Sequence, residues 1–188
     1  MPIFSSSPSR NPNRRTTTQK IRSGFGGNLD TITQMRLLAR RRAGDQRVRE
    51  AALAILRSYS TQSHNYMDEA IAIGNYVKQN VAYVRDPENI EHLQDPVLML
   101  QDIAAGRAAG DCDDMSLLAS TLLLAVGCSP FYRTVRYQDT KGPYNHIYVV
   151  VYENNYRQPK KRVVIDCILK DRPIGSEINH VSGDEHAV

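Results

Sequence analysis

The sequence has no tryptophan, three phenylalanines and three cysteines in 188 residues. An odd number of cysteines at uneven spacing argues against a disulfide framework and makes a reducing cytoplasm the expected compartment. No apolar run approaches the roughly 20 residues that a membrane-spanning helix needs. The opening Met1-Pro2-Ile3-Phe4-Ser5-Ser6-Ser7-Pro8 lacks the apolar stretch of a secretory signal. No internal repeat is visible. What is present is a hydrophobic fraction of 41%, enough for a real core in one domain with an appendage.

Acidic residues are also missing from the first 28 positions, which are rich in Ser, Pro, Asn, Arg and Gly. The formal charge of +4 therefore hides an asymmetry: residues 1–49 are net +9 and residues 50–188 net −5. The first 28 residues are expected to form a flexible basic arm, since their composition buries little. Such an arm suits an acidic protein surface or a nucleic-acid backbone. Phe4 and Phe25 are its only aromatics, so base stacking is poorly supported and a nucleic-acid partner is the weaker expectation. Gly24-Phe25-Gly26-Gly27 lacks the lysine of a phosphate loop and reads as a hinge between arm and body.

Helical periodicity follows. Leu29 to Ala43 places Ile32, Met35, Leu38 and Ala39 on one stripe, Gln46 to Ser58 carries Val48, Ala51, Ala52, Ile55 and Leu56, and Tyr66 to Asn80 carries Met67, Ala70, Ile71, Gly74 and Val77. Val81 to Val84 is a short apolar run, and Pro96 to Ile103 reads as a short helix with proline in its first turn. The second half changes period. Phe131 to Gln138, Asn145 to Tyr152 and Arg162 to Ile168 are β-branched and aromatic, and they predict an antiparallel sheet. The expected division is an arm at 1–28, a helical extension at 29–60 and an α+β domain at 61–188.

Chemistry concentrates at Gly110-Asp111-Cys112-Asp113-Asp114-Met115, which runs into the apolar segment Ser116 to Val126 and stops at Gly127. This pattern places Cys112 in the first turn of a buried helix, where unpaired N–H groups and the helix dipole favour an anion and a nucleophilic thiolate. Asp111 is the expected N-cap, with Asp114 completing a weak capping box. Downstream, His146 and Asp166 lie in strand-like surroundings and supply a base and an orienting carboxylate. By strand alternation His146 shares a face with Tyr148, Val150 and Tyr152, and Asp166 shares one with Val164. If those strands are neighbours, both side chains project toward Cys112.

Gly110-Asp111-Cys112-Asp113-Asp114, Asn145-His146 and Ile165-Asp166, in that order, resemble the transglutaminase-like superfamily over roughly Tyr66 to Gly175. Val81-Ala82-Tyr83-Val84-Arg85-Asp86-Pro87 and Gln94-Asp95-Pro96 are similar to small bacteriophage-encoded transglutaminase-like proteins. The resemblance implies a papain-like α+β core with the cysteine helix packed on an antiparallel sheet. It implies acyl transfer from a peptide or carboxamide in which Cys112 attacks, His146 carries the proton and Asp166 fixes the imidazole. The oxyanion would be met by the Cys112 backbone N–H, with Tyr83 and Gln101 as candidates for further contacts and Asn145 as a candidate substrate contact. No cofactor is required, and the partner is a protein or peptide substrate. The rival reading is a bacteriophage adaptor that uses the fold as a binding module and docks on phage structural proteins through residues 1–28.

The remaining candidates have blander readings. Cys128 and Cys167 are expected to be inert core thiols, and His64, His92, His180 and His186 surface residues. The Asp111, Asp113, Asp114 cluster lacks the glycine and terminal glutamate of a calcium loop, so no metal is assigned. Two acids beside a thiol raise its pKa, so Asp113 and Asp114 are expected to turn away from it, toward substrate cations or a helix cap.

Overall fold

The computed structural model describes residues 25–61, 65–86, 92–137, 144–154 and 161–188. The expected basic arm lies outside the described residues as far as residue 24, as does His64. The expected hinge is corrected: α1 (Phe25–Ala43) runs through Gly26 and Gly27. α2 (Gln46–Ser58) and α3 (Tyr66–Asn80) have the predicted bounds, because each couples an apolar stripe to a capping side chain. Asp45 accepts from Arg47 N–H, and Asn65 accepts from Asp68 N–H.

A short parallel pair, β1 (Ala82–Tyr83) and β2 (Ala109–Gly110), brackets α4 (Pro96–Ala104), whose N-cap is Asp95 with Pro96 in the first turn. α5 (Cys112–Ala125) then passes through the middle of the molecule. Every side chain from Asp114 to Leu123 is buried, as expected of a helix that is mostly apolar all round. Its polar residues are satisfied: Ser116 Oγ donates to Ile147 O at 3.2 Å, Thr121 donates to Leu117 O at 2.6 Å, and Ser120 bonds the Tyr132 hydroxyl at 2.6 Å. α1, α2 and α3 pack around α5 through Ile32, Met35, Ala39, Val48, Ala52, Ile55, Ile73 and Val77. The helices expected as an extension therefore share one core with the rest. Each large apolar side chain buried there contributes roughly 1.5–3 kcal/mol.

The sheet comprises β3 (Phe131–Arg136), β4 (His146–Tyr152), β5 (Arg162–Ile165) and β6 (Ser182–Ala187), all antiparallel in the order β5-β4-β3-β6. His186, expected as a surface residue, falls within β6. Its six residues pair with β3 from Phe131↔Ala187 to Arg136↔Ser182, and His186 Nε2 bonds Thr134 Oγ1 at 3.3 Å. Ile147, Val149, Val151, Val163 and Ile165 face the helices, whereas Tyr148, Val150, Tyr152, Val164 and Val135 form a second apolar cluster on the opposite face. His146 and Asp166 fall, by alternation, on the side of this second cluster. α5 packs on the opposite face, with Ile147, and reaches the His146 end of β4 only through that residue's backbone.

Candidate active site

Two local features place Cys112. Tyr83 pairs with Gly110, and Val84 N–H donates to Gly110 O at 2.9 Å, so β1 holds the residue that leads into the helix. Asp111 then caps α5, accepting from Asp113 N–H at 3.0 Å and Asp114 N–H at 3.2 Å. Gly110 is packed against Asp114: a Cβ there would sit 2.7 Å from Asp114 Cβ, so only glycine fits.

Asp114 does not complete a capping box and does not face substrate; both expectations are corrected. It is fully buried, and its carboxylate accepts Gln94 N–H and Gln94 Nε2–H, each at 2.7 Å. Gln94 Nε2 also donates to Ala109 O at 2.7 Å. Gln94 therefore ties the entry to α4 to β2 and α5. Burial pushes the Asp114 carboxyl up to about 7, against the opposing pull of the Gln94 hydrogen bonds.

The expected low-pKa thiol is also corrected. Burial pushes Cys112 well above the ordinary cysteine range, the Asp113 and Asp111 carboxylates push the same way, and the hydrogen bond from Ile147 N–H opposes them. Cys112 Sγ lies 3.4 Å from Asp113 Oδ1, so Asp113 does not turn away. Besides burial, the Asp111 carboxylate occupies the Asp113 and Asp114 amides that would otherwise stabilise a thiolate.

His146 opens β4 and Asp166 follows β5, and their side chains are each 3% exposed. Asp166 Oδ2 bonds His146 Nε2 at 2.8 Å, and because a carboxylate accepts, Nε2 carries the hydrogen and Nδ1 is the other ring nitrogen. Ile168 N–H donates to Asp166 Oδ1 at 3.3 Å, and the Tyr137 hydroxyl donates to Oδ2 at 3.3 Å. Tyr137 stacks on the imidazole at 5.3 Å between centroids and 27° between planes, and Tyr148 lies tilted at 5.7 Å. The Ile147 N–H that meets the Cys112 sulfur belongs to the residue after His146, so α5, β4 and β5 converge on one place.

The other candidates divide. Tyr83 stands beside Gly110 with its residue 39% exposed, whereas Gln101 sits on the exposed side of α4, where its carbonyl caps Ala105. Asn145 is exposed; its N–H donates to Val135 O and its Oδ1 accepts Tyr137 N–H at 3.4 Å, closing the β3–β4 pairing. Cys128 and Cys167 are buried in the core with their thiols pushed up by desolvation, Cys167 to about 12. Among the described residues, Asp111, Cys112 and Asp113 are the group with ligand atoms within 4.8 Å of one another. Asp111 caps the helix and Asp113 contacts the thiol. Among the described residues no helix is long and apolar enough to cross a membrane.

Tyr137 and Gln94 are the neighbours that sequence reasoning missed. Val135 pairs with His146, which makes Tyr137 a diagonal cross-strand neighbour of the imidazole, a signal available once the hairpin register is known. Gln94 stood in a quoted motif but had no role without a partner.

No protein-family model and no curated protein matches the chain. Among solved structures, it is similar to a candidate protease from Parabacteroides distasonis, with TM-score 0.50 and 14% identity, over 72% of this chain and 26% of that one. This chain thus spans about a quarter of that protein's length. It is also similar to Legionella pneumophila LapG, in the calcium-bound form at TM-score 0.44 and 19% identity over 77% of this chain and 76% of LapG, and in the EGTA-treated form at 0.44 and 18%. None of these is a bacteriophage protein. The fold is α+β, a central cysteine-bearing helix against an antiparallel sheet, and a solved candidate protease shares it.

Proposed function

We propose that this chain is a cysteine-dependent acyl-transfer enzyme acting on peptide or carboxamide bonds through Cys112, His146 and Asp166. The observation that carries the reading is the buried 2.8 Å hydrogen bond between His146 Nε2 and Asp166 Oδ2, made at the end of the strand whose Ile147 N–H meets the Cys112 sulfur. Buried ionisable pairs of this kind are costly to leave idle in a core.

The raised thiol pKa selects the order of events. Cys112 rests protonated, so its proton passes to His146 Nδ1 as Sγ attacks the carbonyl carbon. The C–N bond then breaks, the imidazolium returns the proton to the departing amine, and a thioester remains on Cys112. Water attacks this thioester as His146 takes its proton; the C–S bond breaks, and sulfur regains the proton while the acid leaves. A primary amine in place of water gives transfer instead of hydrolysis. Asp166 holds Nε2–H and stabilises the imidazolium. The Cys112 backbone N–H, at the free end of α5, is the proposed oxyanion donor. Tyr83 lines the approach from β1.

The adaptor reading rests on residues 1–28, of which 1–24 lie outside the described residues, and no observation favours it over the enzyme. The test uses fluorogenic peptide amides for hydrolysis and a fluorescent primary amine for transfer. Loss of both in Cys112→Ala at an unchanged melting temperature is the expected result. Equal turnover by wild type and Cys112→Ala would overturn the reading.

A further inference from the structure

Tyr137 has three properties that coincide on one pair of side chains. Its ring stacks on His146, its hydroxyl donates to the same Asp166 oxygen that receives His146 Nε2, and its own backbone N–H is held by Asn145 Oδ1. The ring is half-buried and packs against the second apolar cluster with Val135 and Tyr148. A tyrosine placed only to fill that cluster would need neither the hydroxyl contact nor a plane nearly parallel to the imidazole. We propose that Tyr137 is a positioning residue for the acyl-transfer site, covering the His146–Asp166 hydrogen bond against water and sharing the Asp166 Oδ2 lone pairs with the imidazole.

This inference rests on the enzyme reading above, but its two parts can be measured separately from turnover. The groups facing His146 are Asp166 after β5, Tyr137 after β3, and Tyr148 on its own strand with Glu177 bonded behind it at 2.6 Å; Cys112 at the start of α5 meets the neighbouring Ile147 N–H. Burial, followed by the Asp166 carboxylate, pushes the Tyr137 phenol well up, so it remains a hydrogen donor over the working pH range. A donor on Oδ2 draws carboxylate density away from Nε2–H, while the ring keeps water from competing for it. The phenol therefore moderates the strength of the imidazole–carboxylate bond, and the ring sets its lifetime.

Two variants separate these effects. Tyr137→Phe keeps the ring and removes the donor, whereas Tyr137→Ala removes both. The low-field proton resonance of His146 Nε2–H is the direct readout, with alkylation of Cys112 by iodoacetamide from pH 6 to pH 9 as the second. In Tyr137→Phe the resonance should move further downfield and the pH profile of alkylation should shift while the fold is kept. In Tyr137→Ala the proton should exchange with water about tenfold faster or more, broadening the signal, with alkylation slowed. An Nε2–H resonance with unchanged position and exchange rate in both variants would overturn the proposal. His146→Ala is the control for the enzyme reading. If Cys112 alkylation responds to His146→Ala but both Tyr137 variants are silent, Tyr137 is only core packing; if alkylation ignores His146→Ala, the thiol–imidazole reading fails, and the resonance alone still decides the role of Tyr137. Should Tyr137→Ala unfold the domain, Tyr137→Phe decides the donor role by itself.

Discussion

Replacing Asp113 with asparagine removes the negative charge nearest the thiol while keeping its size and helix position. Asp113 Oδ1 lies 3.4 Å from Cys112 Sγ. At that distance a thiolate and a carboxylate repel by about 1 kcal/mol in water-like surroundings and about 5 kcal/mol at the effective dielectric near a protein surface. Removing that repulsion should lower the thiol pKa. Part of the gain in thiolate is returned, since a less basic sulfur is a weaker nucleophile. With a Brønsted coefficient of about 0.4–0.5, each pKa unit leaves a net gain of about threefold to fourfold in rate. Alkylation of Cys112 in Asp113→Asn at pH 7 should therefore be at least about threefold faster than in wild type, with the midpoint of its pH profile displaced toward acid. Mass-spectrometric peptide mapping of iodoacetamide adducts between pH 6 and pH 9 measures both. An unchanged or slower rate with an unmoved midpoint would refute the assignment of Asp113 as a cause of the raised pKa.

Asp114 carries a second pH signature. Its folded pKa of about 7 lies above the ordinary carboxyl value of 3.8, so the folded state holds a proton that the unfolded chain releases between those limits. The stability it contributes is complete below about pH 4 and is lost as pH rises toward 7. In Asp114→Asn that component of the stability profile, followed by denaturant titration at several pH values, should disappear. The asparagine amide cannot accept both Gln94 donors, so the variant should also lose about 1–3 kcal/mol; a pH profile identical to wild type would contradict the buried clamp. Asp166→Asn should fold normally and lose activity on the order of 10² to 10⁴ through the wrong imidazole tautomer, and undiminished turnover would remove Asp166 from the site.

The local elements were the most legible part of the fold. α2 and α3 could be bounded because Asp45 and Asn65 stand directly before apolar stripes of helical period, and β3, β4 and β5 because β-branched runs stand between turn residues. β6 was hidden because Ser182–Ala187 is polar and becomes a strand only by pairing with β3, some fifty residues earlier. Alternation correctly placed His146 and Asp166 on a common face, but both faces of β4 are apolar, so nothing local told which one α5 covers. The thiol environment was misjudged for a related reason. A cap such as Asp111 is visible in the sequence, yet whether it competes with Cys112 for the first-turn amides depends on its rotamer. Asp114 and Gln94 are twenty positions apart, and only folding makes them partners.

Selective alkylation of the three cysteines, in wild type and in His146→Ala, tests the central claim most directly. Cys112 is partly exposed, whereas Cys128 and Cys167 are buried with raised pKa values. Folded wild type treated with iodoacetamide should carry label on Cys112 well before the other two, at a rate that rises with pH because the resting thiol is protonated, and His146→Ala should slow that reaction. Equal labelling of all three thiols, or a Cys112 rate indifferent to His146, would contradict the assignment of Cys112 and His146 as nucleophile and base.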